Sequence, residues 1–174
     1  YHAVPVIADA WMKGIRGYDA DAALDAMVAS ASYAPYDGLG DYMELGYVPI
    51  DREGEAASKT LEYAYDDWTI ARMAESQGKT KVAQQFEKRA ANWRNTFDKE
   101  SGFLRAKLAN GQFREPFDPA ASGYGTDYTE GNAWQYSWYV PQDIAGLINA
   151  HGGDAQFVTR IDAVFNAEGD PNLF

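Results

Sequence analysis

No cysteine occurs in the 174 residues, which excludes disulfides, thiolate metal sites and cysteine nucleophiles. Histidine is nearly as scarce. His2 and His151 lie far apart in sequence and form no paired metal motif, and there is no HExxH, P-loop or GxGxxG string. The G-x-S-x-G elbow of serine hydrolases is also missing. No apolar run reaches the ~18 residues a membrane-spanning helix requires, and no signal peptide is visible at the start. Basic charge is the other shortage, with 15 Lys and Arg against 26 Asp and Glu and a formal charge of −11. That argues against nucleic acid, whose phosphates are bound by clustered cations, and against an anionic membrane surface. The chain opens on Tyr1 without Met and stops at DPNLF. It reads as a one-domain segment of something longer, which can lack part of an active site.

What is abundant is aromatic: five Trp, twelve Tyr and eight Phe, 14% of the chain. Rings with polar tips build both cores and sugar-binding clefts, and composition leaves the two open. The periodicities predict a mainly helical fold. A short helix starts near Pro5, and Asp19 or Asp21 caps an Ala-rich one over about 21–31. Residues 32–57 are dense in Gly, Pro, Tyr and Asp and read as a long irregular stretch. Ser58 is expected to open a helix running to Gln77, with Leu61, Tyr65, Trp68, Ala71 and Ala74 on its apolar face. After Gly78 a second helix over about 81–97 carries Val82, Phe86, Ala90, Trp93 and Phe97, completing an αα-hairpin. Asn110-Gly111 within 102–113 predicts a small β-hairpin. A loop follows over 114–131, then a helix interrupted at Pro141. A last helix is capped by Asp154, with Phe157, Ile161, Val164 and Phe165 on its apolar face. Helix pairs joined by long aromatic loops fit an (α/α) barrel better than a plain bundle, which wants shorter connections.

The richest chemical window is 124–143, YGTDYTEGNAWQYSWYVPQD. Asp127 and Glu130 sit among Tyr124, Tyr128, Trp134, Tyr136, Trp138 and Tyr139, with Asn132 and Gln135 beside them. A carboxyl desolvated by rings has a raised pKa, which suits a general acid that protonates a departing glycosidic oxygen. Helix capping is the structural alternative for Glu130. In TLEYAYDDW, residues 60–68, Glu62 and Asp66 share a helix face and either line a cleft, are offset by a cation, or face solvent; Asp67 reads as solvated. Asp51 reads as a cap of the next helix, and His151 as a helix-end residue where a cation is welcome.

Several long strings resemble glycoside hydrolase family 92: VPIDREGEAASKTLEYAYDDWTIARMAE, GFLRAKLANGQFREPFDP and YTEGNAWQYSWYVPQDIAGLI, together with AWMKGIRGYDADAALDAM and the terminal HGGDAQFVTRIDAVF. The resemblance covers nearly the whole chain, in order. It implies an inverting, calcium-dependent exo-α-mannosidase that releases terminal α-linked mannose from glycans, chiefly α-1,2-linked, and takes part in N-glycan degradation. It implies a secreted or periplasmic bacterial protein with a β-sandwich followed by an (α/α)6 barrel. Residues 1–174 would be part of that barrel, with the remainder of the polypeptide as partner. The Glu of the TEGNAWQY string is the family's general acid and falls on Glu130. Asp127, Tyr128, Trp134, Gln135 and Asp143 are then the substrate-contact candidates, and Asn132 and Gln135 weak calcium candidates. The family's general base and its Asn-Glu-Pro motif have no counterpart here, so the segment alone is expected to be inactive and its calcium site weak or empty. Where the family commonly has Pro-His-Asp, this chain has Pro141-Gln142-Asp143. Two readings compete: a non-catalytic carbohydrate-binding module, and a helical interaction domain with the rings of 124–139 buried in a core and Glu130 facing solvent.

Overall fold

The computed structural model describes residues 1–123 and 125–166. Tyr124 and the terminal DPNLF lie outside the described residues. The elements run α1 (Ala3–Met12), α2 (Ala20–Ser30), α3 (Leu39–Leu45), α4 (Ala56–Ser76) and α5 (Thr80–Ala90). A 3-10 turn (Ala91–Thr96) leads on to α6 (Ala133–Tyr136), α7 (Ile144–Ala150) and α8 (Asp154–Asn166). The fold is mainly helical, and among the described residues pairing between extended segments is limited to isolated bridges.

Helix α4 is the axis. Fourteen of its 21 residues are buried, far more than one amphipathic stripe supplies. Its C-terminal half packs with α1, α2 and α5 around Val4, Leu24, Met27, Ile70, Met73 and Phe86. Tyr63 faces a second cluster with Leu39, Tyr42, Val48, Phe103 and Tyr128. Leu61 and Ala64 face a third with Trp93, Leu104, Val140 and Leu147. The αα-hairpin of α4 and α5 forms around Gly78, which takes the left-handed φ of 71° at the turn.

Several sequence expectations change. Residues 32–57 contain α3, which ends at left-handed Gly46. Helix α4 begins at Ala56, before Ser58, and its N-cap is Glu55 at φ 57°, with no side-chain cap bond. Helix α5 tightens to 3-10 geometry after Ala90, and Trp93, on that turn, is almost fully buried in the third cluster. The expected β-hairpin at 102–113 reduces to a reverse turn at Asn110-Gly111 with one antiparallel bridge, Lys107 to Phe113. A longer ladder does not form because its groups are engaged elsewhere. The Leu104 N–H donates to Ser137 Oγ at 3.0 Å, the Leu104 carbonyl accepts from Tyr128 Oη at 2.6 Å, and the Lys107 carbonyl accepts from Ile50 N at 2.8 Å. On α8, Val164 is buried, whereas Phe165 is 78% exposed.

Candidate active site

The loop carrying residues 125–130 docks on the first turn of α4. Helix N-termini leave N–H groups without intrahelical partners. Here Glu55 N donates to the Thr126 carbonyl at 3.1 Å and Ala57 N to the Asp127 carbonyl at 3.0 Å. Thr129 N donates to Ser58 Oγ at 2.9 Å, and the Thr129 hydroxyl donates to Glu55 Oε2 at 3.1 Å. Tyr136 Oη donates to the Thr129 carbonyl at 2.9 Å and lies 3.3 Å from Glu62 Oε1. The next residue, Glu130, has φ 50°, the left-handed region that a non-glycine residue enters only when its surroundings impose it. Glu130 is exposed, so the ring-lined desolvation expected around it is not supplied by the described residues.

Below this loop, α4 presents a line of carboxylates. His2 bridges Glu62 (Nε2 to Oε2, 3.3 Å) and Asp66 (Nδ1 to Oδ2, 3.2 Å). Asp66 is 1% exposed, and its Oδ2 accepts no other hydrogen bond from the described residues. Burial, then the neighbouring Asp67 and Glu62 charges, push the Asp66 carboxyl up to about 8. Burial also raises Glu62, against the opposing pull of His2 and the Tyr136 hydrogen bond. Tyr136 and Tyr139 pack edge to face beside them at 6.4 Å, and Tyr139 meets Tyr65 at 6.1 Å.

Asp67 is fully buried, contrary to its reading as a solvated residue. Its carboxylate accepts from Tyr42 Oη at 2.8 Å, Tyr1 Oη at 2.9 Å and Arg89 Nε at 2.9 Å. Burial lifts its pKa to about 6, although Arg89 and the two tyrosine hydroxyls pull it down. Asp51 does not cap α4; its Oδ1 accepts from Ala109 N at 2.8 Å. His151 does not act as a helix-end cation: burial, then Arg160, lowers its pKa, and its ring stacks on Trp138.

The predicted acid and substrate contacts fall into two groups. Glu130, Trp134 and Gln135 lie at the docked loop or on the short helix that follows it. Asp127 pairs with Arg114 at 2.6 Å. Tyr128 is 2% exposed and packs in the core, stacked on Tyr136. Asp143 caps α7 through Gly146 N at 2.9 Å and pairs with Arg94 at 2.6 Å. The calcium candidates Asn132 and Gln135 form a capping box, each side-chain carbonyl accepting the other's backbone N–H at 3.3 and 3.0 Å. With those oxygens turned into α6, and no group of three or more Asp, Glu or His suited to a metal among the described residues, the residues present do not fit a calcium ion. The rings of 124–139 divide as well: Tyr128 is in the core, while Tyr139 is 37% exposed. Sequence reasoning missed Ser58, Thr129 and Glu55. Thr129 beside Glu130 was the one signal available; nothing in the string ties Ser58, 71 positions away, to it.

Glu130 thus stands exposed at a left-handed turn, on a loop bound to the start of α4, the helix that also carries the buried Asp66 and Asp67. The chain belongs to glycosyl hydrolase family 92: the model of that family's catalytic domain matches residues 1–173. It is 43% identical to the family GH92 α-mannosidase of Bacteroides thetaiotaomicron solved in complex with mannoimidazole, with a TM-score of 0.93 over 98% of this chain and 23% of that one. An inverting GH92 mannosidase from the same organism is 39% identical, with a TM-score of 0.86 over 99% of this chain and 25% of that one. An uncharacterised secreted glycosidase of Arthroderma benhamiae is 29% identical over 90% of this chain and 25% of its own length. The chain thus spans about a quarter of the length of these relatives.

Proposed function

We propose that the protein containing this chain is an exo-α-mannosidase that removes terminal mannose from α-linked glycans, N-glycans included, with α-1,2 linkages preferred, and that Glu130 is its general acid. The observation that carries the reading is the backbone of Glu130. A non-glycine residue is held at φ 50° on a loop bound to the start of α4, inside a chain 43% identical to a mannosidase that binds mannoimidazole. Strain of this kind costs about 1–3 kcal/mol and persists where surrounding contacts over-determine it, often at reacting centres. Exposure suits a group that must meet an incoming sugar, and the substrate then supplies the desolvation.

In this reading the Glu130 carboxyl donates its proton to the glycosidic oxygen as the bond to the mannose anomeric carbon breaks. Water attacks from the opposite face with inversion, helped by a base carboxylate about 6.5–9.5 Å away. That base, the β-sandwich, the rest of the (α/α)6 barrel and the ligands of any calcium ion belong to the remainder of the polypeptide, so the segment alone is inactive. Trp134 and Tyr139 flank the sugar. Gln135, Asp127, Tyr128 and Asp143 shape the site through their capping, ion-pair and core contacts. Secretion follows the Arthroderma relative and the family. The helical-interaction reading expects the exposed Glu130, but neither it nor the non-catalytic sugar-binding reading gives a reason for its left-handed backbone.

In the intact enzyme, Glu130→Gln should lower kcat on α-mannobiose by about 10²–10⁴-fold, the usual contribution of a general acid, with KM little changed. Undiminished turnover of that disaccharide by the variant would end the assignment.

A further inference from the structure

We propose that Thr129, Ser58 and Glu55 are positioning residues for the acid, a clamp that fixes the backbone beside Glu130 so that its carboxyl projects at one place. The inference rests on Glu130 being the general acid.

Every polar group of Thr129 is held. Its N–H donates to Ser58 Oγ at 2.9 Å and its hydroxyl donates to Glu55 Oε2 at 3.1 Å, lying 3.0 Å from Ser58 Oγ as well. Its carbonyl accepts from Tyr136 Oη at 2.9 Å. Ser58 Oγ is fixed in turn, donating to the Glu55 carbonyl at 2.8 Å. One hydroxyl on α4 therefore ties the loop at 129 to the residue that starts the helix.

Glu55 is itself left-handed at φ 57°, so the clamp joins two of the three positive-φ non-glycine residues among the described residues. Glu130 has no hydrogen bond or ion pair of its own there to offset its strained backbone, so its neighbours must hold it. The Glu55 carboxylate accepting the Thr129 hydroxyl is a charge-assisted bond, roughly twice as strong as a neutral one. On the far side, Asn132 and Gln135 lock the backbone with their capping box. Glu130 and Gly131 are thus the unclamped pair between two fixed points. Proton delivery depends on such placement, because a misplacement of about 1 Å can cost about 10²-fold in rate.

A displaced acid has a signature that general destabilisation lacks. Hydrolysis of a mannoside with a poor leaving group needs the proton, whereas a dinitrophenyl mannoside, whose leaving group departs unaided, does not. The test measures kcat and KM of the full-length enzyme on α-mannobiose and on dinitrophenyl α-mannoside for the wild type, Glu130→Gln, Thr129→Val, Thr129→Ser and Glu55→Gln. Thr129→Val is expected to lower kcat on mannobiose by about 10- to 100-fold, leave the aryl substrate nearly untouched and shift KM little. Thr129→Ser, which keeps the hydroxyl, restores the rate. Should Thr129→Val fail to fold, Glu55→Gln carries the same comparison, because it keeps the size and drops the charge-assisted bond.

An equal loss on both substrates, or no loss on mannobiose, while Glu130→Gln discriminates between them, overturns the clamp and leaves the acid standing. If Glu130→Gln does not discriminate either, both fall.

Discussion

Asp66 makes the folded protein's stability depend on pH with a definite sign. Its carboxyl is 1% exposed, and burial together with Asp67 and Glu62 raises it from 3.8 to about 8. The folded state therefore keeps a proton between about pH 4 and 8 that the unfolded chain releases. Where the native state binds more protons, stability falls as pH rises. Asp66 is harmless below the unfolded value, becomes increasingly costly through the interval, and reaches its full penalty above about 8. At 1.36 kcal/mol per unit, a shift of this size corresponds to roughly 6 kcal/mol as an upper bound, reduced by any water or rearrangement that reaches the charge. Glu62, also raised by burial, acts in the same direction, against the pull of His2. Asp66→Asn removes the ionisation and keeps the shape. In urea unfolding of the intact protein, the variant should match the wild type near pH 4 and exceed it by at least about 1 kcal/mol at pH 8, about 2–4 °C in Tm for a domain of this size. Parallel stability curves for the two proteins across that range would refute the reasoning, because they would mean that Asp66 is not the group taking up the proton.

Asp67→Asn should act the other way at neutral pH. It leaves Arg89 beside a neutral amide and disturbs two tyrosine hydrogen bonds, a loss of about 3 kcal/mol, read as a lowered unfolding midpoint; an unchanged midpoint would contradict the buried pair. At Gly131 an added Cβ would lie 2.7 Å from Gln135 Oε1 and 3.1 Å from the Tyr136 ring. Gly131→Ala should therefore open the capping box, cost about 1–3 kcal/mol and reduce activity more than stability. Full activity with normal KM would show that this turn tolerates movement.

The helical frame was legible because periodicity reports burial. Phe86, Ala90 and Trp93 recur at the predicted helical spacing and are all buried, Phe86 in the first cluster and Trp93 in the third. Gly78 stopped α4 where a left-handed residue was needed. What failed to read were places where a distant partner overrode a local preference. Asn110-Gly111 does turn the chain, but the flanking groups bond to Tyr128, Ser137 and Ile50, which lie 24, 33 and 57 positions from their partners Leu104, Leu104 and Lys107. Short-range turn chemistry gives no notice of such competition. On the 3-10 turn after α5, Asn95 likewise donates to the Gly46 carbonyl at 2.8 Å, a partner 49 positions away.

The carboxylates of α4 show the limit of pattern reading most clearly. Three acids within six positions suggest a solvated face, the reading given to Asp67, and like charges at that spacing repel. The reading fails for Asp67 because α4 is enclosed on most sides, with Asp66 and Asp67 both buried and only Glu62 of the three keeping solvent access. Asp67 is accommodated by an arginine from α5 and tyrosines from the chain start and from α3, none of which adjoins it in sequence. The same enclosure ties chemistry to fold. The helix that buries Asp66 also supplies, one to three turns earlier, the Glu55, Ser58 and Glu62 side chains that reach the Thr129 loop and Tyr136. A displacement of α4 therefore cannot alter the buried carboxylates without also moving the backbone that carries Glu130. Stability variants in the core of α4 should accordingly change catalytic rate even where they lie far from the sugar.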